Sequence, residues 1–215
     1  MSINLHLGDC LEAMRAMPDN SYELAIVDPP YGIERFKNVT KTPSSKDVHA
    51  KRFQRMEIVN NTKPSQKYWD ELFRISKNQI VWGANNFELP PSEYFLCWNK
   101  QQAMPNFATL EYAFVSMGLK KPAKLFTYSI HKHNHTNKIH PTQKPVKLYE
   151  WLLDNYAKEG DKILDTHLGS GSIALACHNR KFDLDGWEID EEYYNNAVER
   201  LDTHKSQLTI FDIGG

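Results

Sequence analysis

The sequence has few of the features that mark secreted, membrane-bound or metal-braced proteins. It holds three cysteines in 215 residues (Cys10, Cys97 and Cys177), and no two of them form a CxxC pair. So sparse and odd a set excludes a disulfide framework and points to a reducing compartment. Cys97, within the apolar stretch Tyr94-Phe95-Leu96-Cys97-Trp98, reads as inert core. No apolar run reaches the roughly 18 residues that a membrane helix requires, and no signal peptide is seen, so a soluble cytoplasmic chain without membrane contact is expected. Internal repeats are lacking. Net charge is nearly lacking too: 26 Lys and Arg against 27 Asp and Glu give −1.

That balance conceals two basic blocks. Ile33 to Lys67 carries nine Lys/Arg and three Asp/Glu, and Lys120 to Lys147 carries seven Lys, four His and no acid. Basic blocks on an acidic body suggest a polyanion-binding surface. Residues 33–66 lack periodicity and are too long for a passive connector. Lys51, Arg52 and Arg55 in the first block, and Lys132, His133 and Lys138 in the second, are the candidate nucleic-acid contacts. His131-x-His133-x-His135 would put three imidazoles on one face if extended. No cysteine or carboxylate lies nearby in sequence, so contacts to nucleic acid are expected there and no metal.

A hydrophobic fraction of 40% suffices for one domain with a small insertion. Hydrophobic patterning predicts strands at Ile3-Leu7, Leu24-Val27, Gln79-Trp82, Tyr94-Trp98 and Leu110-Val115, with a hairpin arm within Lys124-His135. Helices are expected over Cys10-Met17 (capped by Asp9), near Lys67-Ile75, over Val146-Tyr156 and over Glu191-Leu201 (capped by Asp190). Alternating strands and helices imply an α/β, doubly wound, mostly parallel sheet.

Two motifs carry chemistry. Asp28-Pro29-Pro30-Tyr31 follows the apolar Leu24-Val27 run. Each proline fixes φ and lacks an N–H, so the strand would end in a rigid backbone presenting a carboxylate, a bare Pro29 carbonyl and a flat ring. Such a set suits the exocyclic amine of a nucleobase. The second motif is Lys162-Ile163-Leu164-Asp165-Thr166-His167-Leu168-Gly169-Ser170-Gly171-Ser172, which reads strand, glycine turn, helix, with Ser170 or Ser172 as the helix cap. Glu188, 17 residues past Gly171, lies near the end of the next strand, close to the roughly 20-residue spacing at which a carboxylate reaches a ribose hydroxyl.

Together the motifs resemble the S-adenosylmethionine-dependent DNA amino-methyltransferases. Their order, Asp-Pro-Pro-Tyr first and glycine turn last, matches the circularly permuted beta group. The resemblance covers nearly the whole chain. Leu7-Gly8-Asp9-Cys10-Leu11 is similar to the segment that helps hold the cofactor's adenine, and Gly186-Trp187-Glu188-Ile189-Asp190 to the ribose-binding strand end. His140-Pro141-Thr142-Gln143-Lys144-Pro145 is similar to the segment that leads into the helix before the cofactor strand. One departure is clear: Thr166-His167 stand where the family usually has Pro-Phe.

The resemblance implies a seven-stranded, Rossmann-like methyltransferase sheet and S-adenosylmethionine as cofactor. It implies double-stranded DNA as partner and a site-specific adenine N6-methyltransferase of restriction-modification type, nucleoid-associated and acting on a flipped base. Catalysis would fall to Asp28, Pro29, Pro30 and Tyr31. Cofactor binding would fall to Asp9, Asp28, His140, Thr142, Lys144, Asp165, Leu168, Gly169, Ser170, Gly171, Ser172 and Glu188. The aspartate at position 28 goes mainly with adenine. Cytosine N4, RNA or protein-amide methylation, and an inactive DNA-binding relative, remain the alternatives. Residues 1–215 would form a single methyltransferase domain, with recognition left to loop 33–66 and an insertion at 120–140. A tail at 202–215 holds Gln207-Leu208-Thr209-Ile210-Phe211, which is similar to peptides that dock on bacterial sliding clamps. The clamp and a second copy of the chain, as a homodimer, are further candidate partners.

Overall fold

The computed structural model describes residues 1–32, 62–102, 108–130 and 143–212, with side chains to Gln207 in the last span. Its centre is an eight-stranded sheet in the order β1-β8-β7-β2-β3-β5-β4-β6. The strands are β1 (Ile3–Leu7), β2 (Leu24–Val27), β3 (Gln79–Trp82), β4 (Phe95–Asn99), β5 (Leu110–Val115), β6 (Lys124–Thr127), β7 (Lys162–Asp165) and β8 (Asp183–Glu188). Every residue of β2 and β3 is buried. A parallel strand covered on both faces must be an unbroken apolar run, which is how Leu24-Ala25-Ile26-Val27 reads.

Helices α1 (Cys10–Arg15) and α2 (Gln66–Ile75) cover one face, where Met14, Trp69, Leu72 and Ile75 pack with Ala25, Val27, Val81 and Leu164. On the other face lie α3 (Val146–Tyr156), α4 (Ser172–Arg180) and α5 (Glu191–Asp212), where Leu148, Leu152, Ile173, Ala197 and Leu201 meet Leu24, Ile26, Ile80 and Ile163. The doubly wound expectation holds.

Several details differ from the sequence expectation. The sheet has eight strands, not seven. The additional β6 is not a hairpin arm: it lies parallel to β4, with Leu96 opposite Lys124 and Asn99 opposite Thr127. Antiparallel β5 is inserted between β3 and β4. Helix α1 stops at Arg15, two residues early, because Met17 precedes Pro18, and a residue before proline is biased away from helical geometry. Helix α5 continues to Asp212, so the backbone of 207–211 is helical, neither an open tail nor an edge strand. Neither serine caps α4. Gly171, at φ 68°, is its N-cap, and Ser170 and Ser172 instead join hydroxyls at 3.1 Å. Two expected caps are present: Asp9 accepts from the Leu11 amide at 2.7 Å, and Asp190 from the Tyr193 amide at 2.9 Å. No helix among the described residues is long and apolar enough to cross a membrane.

Candidate active site

Five neighbouring strands, β1, β8, β7, β2 and β3, run parallel, so their carboxyl ends form one edge. Ligands of open α/β sheets bind there. Each strand delivers a motif to it: Gly8-Asp9 after β1, Glu188 ending β8, Asp165 and the glycine turn at β7, Asp28 to Tyr31 after β2, and Gly83 after β3. Motifs as far apart in sequence as Asp9 and Glu188 thus meet: the Gly8 amide donates to the Glu188 carbonyl at 2.8 Å.

The glycine turn is tied down from three sides. Gly169 and Gly171 have φ of 52° and 68°, the left-handed region that side chains disfavour. Glu188 Oε2 accepts from the Gly169 amide at 2.7 Å, and Oε1 accepts from the Ile189 and Asp190 amides at 2.9 and 3.0 Å. Burial holds the Glu188 carboxyl above its ordinary pKa, against those three donors. Arg200, from α5, donates to the Ser170 carbonyl and the Ser172 hydroxyl at 2.8 and 2.9 Å. Leu168 packs over Gly186 on β8, where a Cβ would stand 3.0 Å from Leu168 Cδ1.

The Thr166-His167 departure has a physical counterpart in α2. Thr166 Oγ1 shares hydrogen bonds with the Tyr68 hydroxyl at 2.7 Å and with His167 Nδ1 at 2.9 Å. The imidazole sets its edge against Tyr68, with ring centroids 5.4 Å apart. Burial pushes the His167 pKa down to about 4, so the ring is neutral near pH 7. A neutral aromatic ring therefore still fills this position.

At the end of β2, the Tyr31 hydroxyl donates to Asp28 Oδ1 at 2.5 Å. The Tyr31 ring lies against Gly83, where a Cβ would overlap it, and meets the edge of Phe87 at 6.0 Å between centroids. Phe87 in turn packs on Trp69 at 5.0 Å. Lys144 Nζ binds Asp28 Oδ2. This places Lys144, expected among the cofactor residues, on the Asp28 carboxylate, with its side chain 3% exposed. A carboxylate has about four acceptor positions, and the described residues fill two on Asp28.

Sequence reasoning missed Gly83, Glu111 and Lys100. A glycine directly after the buried run of β3 was a usable signal, since it mirrors Asp28 after β2. Glu111 and Lys100 offered none, because their placement depends on the antiparallel insertion of β5. Lys51, Arg52, Arg55, Lys132, His133, Lys138, His140, Thr142 and the His131/His133/His135 set lie outside the described residues. No cluster that could hold a metal occurs among the described residues.

Three carboxylates, Asp28, Asp165 and Glu188, therefore gather where the strands end. Burial raises the Asp165 pKa to about 8; the His167 amide opposes this, Asp28 and Glu188 add to it, and Lys144 opposes it. Three carboxyl groups at a sheet edge beside a glycine turn fit a nucleoside that carries positive charge, which would favour their ionised form. S-adenosylmethionine, with a sulfonium and an ammonium, is such a molecule.

The linkage makes a prediction. Asp165 has a folded pKa above its ordinary 3.8, so the folded, cofactor-free protein binds the extra proton and loses stability as pH rises from about 4 to about 8. His167, lowered from 6.5 to about 4, acts oppositely over pH 4 to 6.5. Between pH 6.5 and 8 only the Asp165 effect remains of the two. The melting temperature of the cofactor-free protein should fall over that interval, and by less in Asp165→Asn. An unchanged difference in the variant would show that Asp165 is not the group responsible.

A doubly wound sheet with a glycine turn and acidic strand ends defines a Rossmann-like enzyme that handles a nucleoside cofactor. A family model described as DNA methylase matches residues 52–199, well over half of the chain. The protein belongs to this family, whose methyl donor is S-adenosylmethionine. The chain is 26% identical to the Type II methyltransferase M.HpaI of Haemophilus parainfluenzae, over 99% of this chain and 77% of that protein. Its fold is similar to that in the crystal structure of the M1.HpyAVI–SAM complex, with a TM-score of 0.58, 20% identity, and 93% of this chain and 100% of that chain covered. It is also similar to the cytosine-N4-specific PvuII DNA methyltransferase, with a TM-score of 0.62, 14% identity, and 92% and 86% covered.

Proposed function

We propose that this DNA methyltransferase acts on adenine N6 in double-stranded DNA, on a base turned out of the duplex. The observation that carries the reading is the Asp28-Pro29-Pro30-Tyr31 corner at the end of β2, beside a pocket fit for a cationic nucleoside. Asp9, Asp165, Leu168, the turn from Gly169 to Ser172 and Glu188 would hold the cofactor, joined by His140 and Thr142. Bound there, S-adenosylmethionine supplies an electrophilic methyl group on a cationic sulfur.

The protein's own residues then act on the base. Exocyclic amines are poor nucleophiles because the nitrogen lone pair is delocalised into the ring. Asp28 and the Pro29 carbonyl accept the two N–H bonds and favour a pyramidal nitrogen. The nitrogen would gain positive charge as its bond to the methyl carbon forms and the methyl–sulfur bond breaks, releasing a neutral thioether, and would give up one proton to solvent afterwards. An acceptor aimed at charge that develops in the transition state lowers the barrier rather than merely strengthening binding. Tyr31 and Phe87, the latter backed by the buried Trp69, group flat apolar surfaces near Asp28, which suits a base that costs a few kcal/mol to unstack. Modification-sensitive sequencing of DNA from cells that express the protein tests the reading. N6-methyladenine at a defined site is expected, and N4-methylcytosine would replace adenine with the runner-up base.

The basic blocks would hold the duplex. Neutralising Lys51, Arg52 and Arg55 together should lower DNA affinity and flatten its dependence on salt, since each phosphate contact releases counterions. An unchanged slope of log K against log salt would remove these residues from the interface.

The helical Gln207–Phe211 segment, with Gln207 exposed, is our proposed clamp contact. Fluorescence binding to a bacterial clamp, lost when residues 207–215 are deleted from a protein that still folds, is the expected result.

A further inference from the structure

Four charges of alternating sign lead away from the amine site: Asp28, Lys144, Glu111 and Lys100. Lys144 Nζ binds Asp28 Oδ2 and stands 3.2 Å from Glu111 Oε2. Lys100 Nζ binds the other oxygen, Glu111 Oε1. The chain of charges is largely withdrawn from water, with side-chain exposures of 15, 3, 23 and 14% in that order. Lys144 also lies over the Trp82 ring, 5.6 Å from its centroid.

The sheet fixes the spacing. Trp82 of β3 is opposite Ala113 of β5, and Glu111 of β5 is opposite Trp98 of β4, two residues before Lys100. Burial would lower the Lys144 pKa, but Asp28 and Glu111 outweigh it and hold the ammonium charged. Burial would likewise raise Glu111, but Lys144 and Lys100 outweigh it and hold the carboxylate charged.

One lysine would suffice to orient Asp28. The second acid is what calls for an explanation. An Asp28–Lys144 couple alone is neutral, and its ammonium opposes positive charge gathering on the target nitrogen. Glu111 offsets that ammonium. Without Glu111 the row would hold one carboxylate and two cations, a net positive charge beside a cationic donor.

We propose that Lys144 and Glu111 are positioning residues for methyl transfer: Lys144 holds the Asp28 carboxylate in place, and Glu111, between Lys144 and Lys100, keeps the row from turning net positive so that Asp28 still presents a negative field to the amine. This rests on the proposed function above.

The test measures kcat and KM for unmodified duplex DNA, with labelled S-adenosylmethionine as donor, in Glu111→Gln, Glu111→Asp, Lys144→Met and the double variant Lys144→Met/Glu111→Gln. Glu111→Gln should lower kcat about tenfold or more, with KM for DNA changed less than about threefold, as expected for a lost charge at medium range. Glu111→Asp, which keeps the charge, should recover most of kcat. In the double variant, removing the uncompensated cation should make the loss smaller than the product of the two single losses. Multiplicative losses, or Glu111→Asp as damaging as Glu111→Gln, would overturn the proposal and leave a merely structural ion pair. If Lys144→Met does not fold, the comparison of Glu111→Gln with Glu111→Asp still decides. A wild-type protein that methylates no DNA would overturn the proposed function, and the inference with it.

Discussion

Asp28→Ala should lower kcat by about a thousandfold or more while S-adenosylmethionine still binds. Removing a single preorganised group aimed at transition-state charge costs on the order of 10²–10³ in rate. Here the substitution removes more than the acceptor. Lys144, nearly free of solvent, loses one of its two carboxylate partners, and the Tyr31 hydroxyl loses the oxygen to which it donates. A wholly unpaired buried cation costs about 3–5 kcal/mol; Lys144 keeps Glu111, so the cost is smaller than that and the melting temperature should fall modestly. Asp28→Asn separates the two effects, since the amide keeps the shape and one acceptor oxygen but not the charge. Near-normal turnover by Asp28→Ala on duplex DNA would remove Asp28 from the catalytic step.

The second large effect is expected at Glu188. A charged hydrogen bond contributes about 1.5–3 kcal/mol, so loss of the ribose contact alone should weaken S-adenosylmethionine binding roughly tenfold to a hundredfold in Glu188→Ala. The carboxylate also accepts three backbone amides, including that of Gly169 in the turn. With three of about four acceptor positions filled, one is left for a hydroxyl donor. Glu188→Ala should therefore loosen the turn and remove the proposed ribose ligand together. Glu188→Gln keeps one carbonyl oxygen and should fall between wild type and alanine. Calorimetry that finds full affinity in Glu188→Ala would reject Glu188 as the ribose ligand.

Much of this site was legible in the sequence because its signals are local. Asp28 follows a buried apolar strand, Gly169 and Gly171 interrupt a strand and a helix, and Glu188 ends the next strand at a spacing the βαβ unit dictates. What lay hidden depends on partners distant in the chain. Nothing near Glu111 or Lys100 announces a buried ion pair, since their meeting with Lys144 follows from β5 running antiparallel between β3 and β4. Thr166 and His167 make sense only beside Tyr68 on α2. The serine cap was misassigned because Gly171 can take a left-handed φ that frees it to cap the helix itself. The stop placed at Leu201 had no glycine or proline behind it, and α5 runs on through residues that contain neither.

The pairing of β1 with β8 bears on how the molecule comes into being. Ile3 sits opposite Leu184 and Leu7 opposite Glu188, so β1 must wait for the much later β8 before it can pair. During translation β1 has no neighbour among the described strands until β8 is made, and β2 and β3 can pair well before it. Contacts so distant in sequence slow folding, because loop entropy is spent before the pairing is gained. The Gly8 amide meets the Glu188 carbonyl, at the proposed cofactor site, only at that step. A chain interrupted before β8 should thus be unable to hold its methyl donor, and the donor, once bound, would tie β1 to β8.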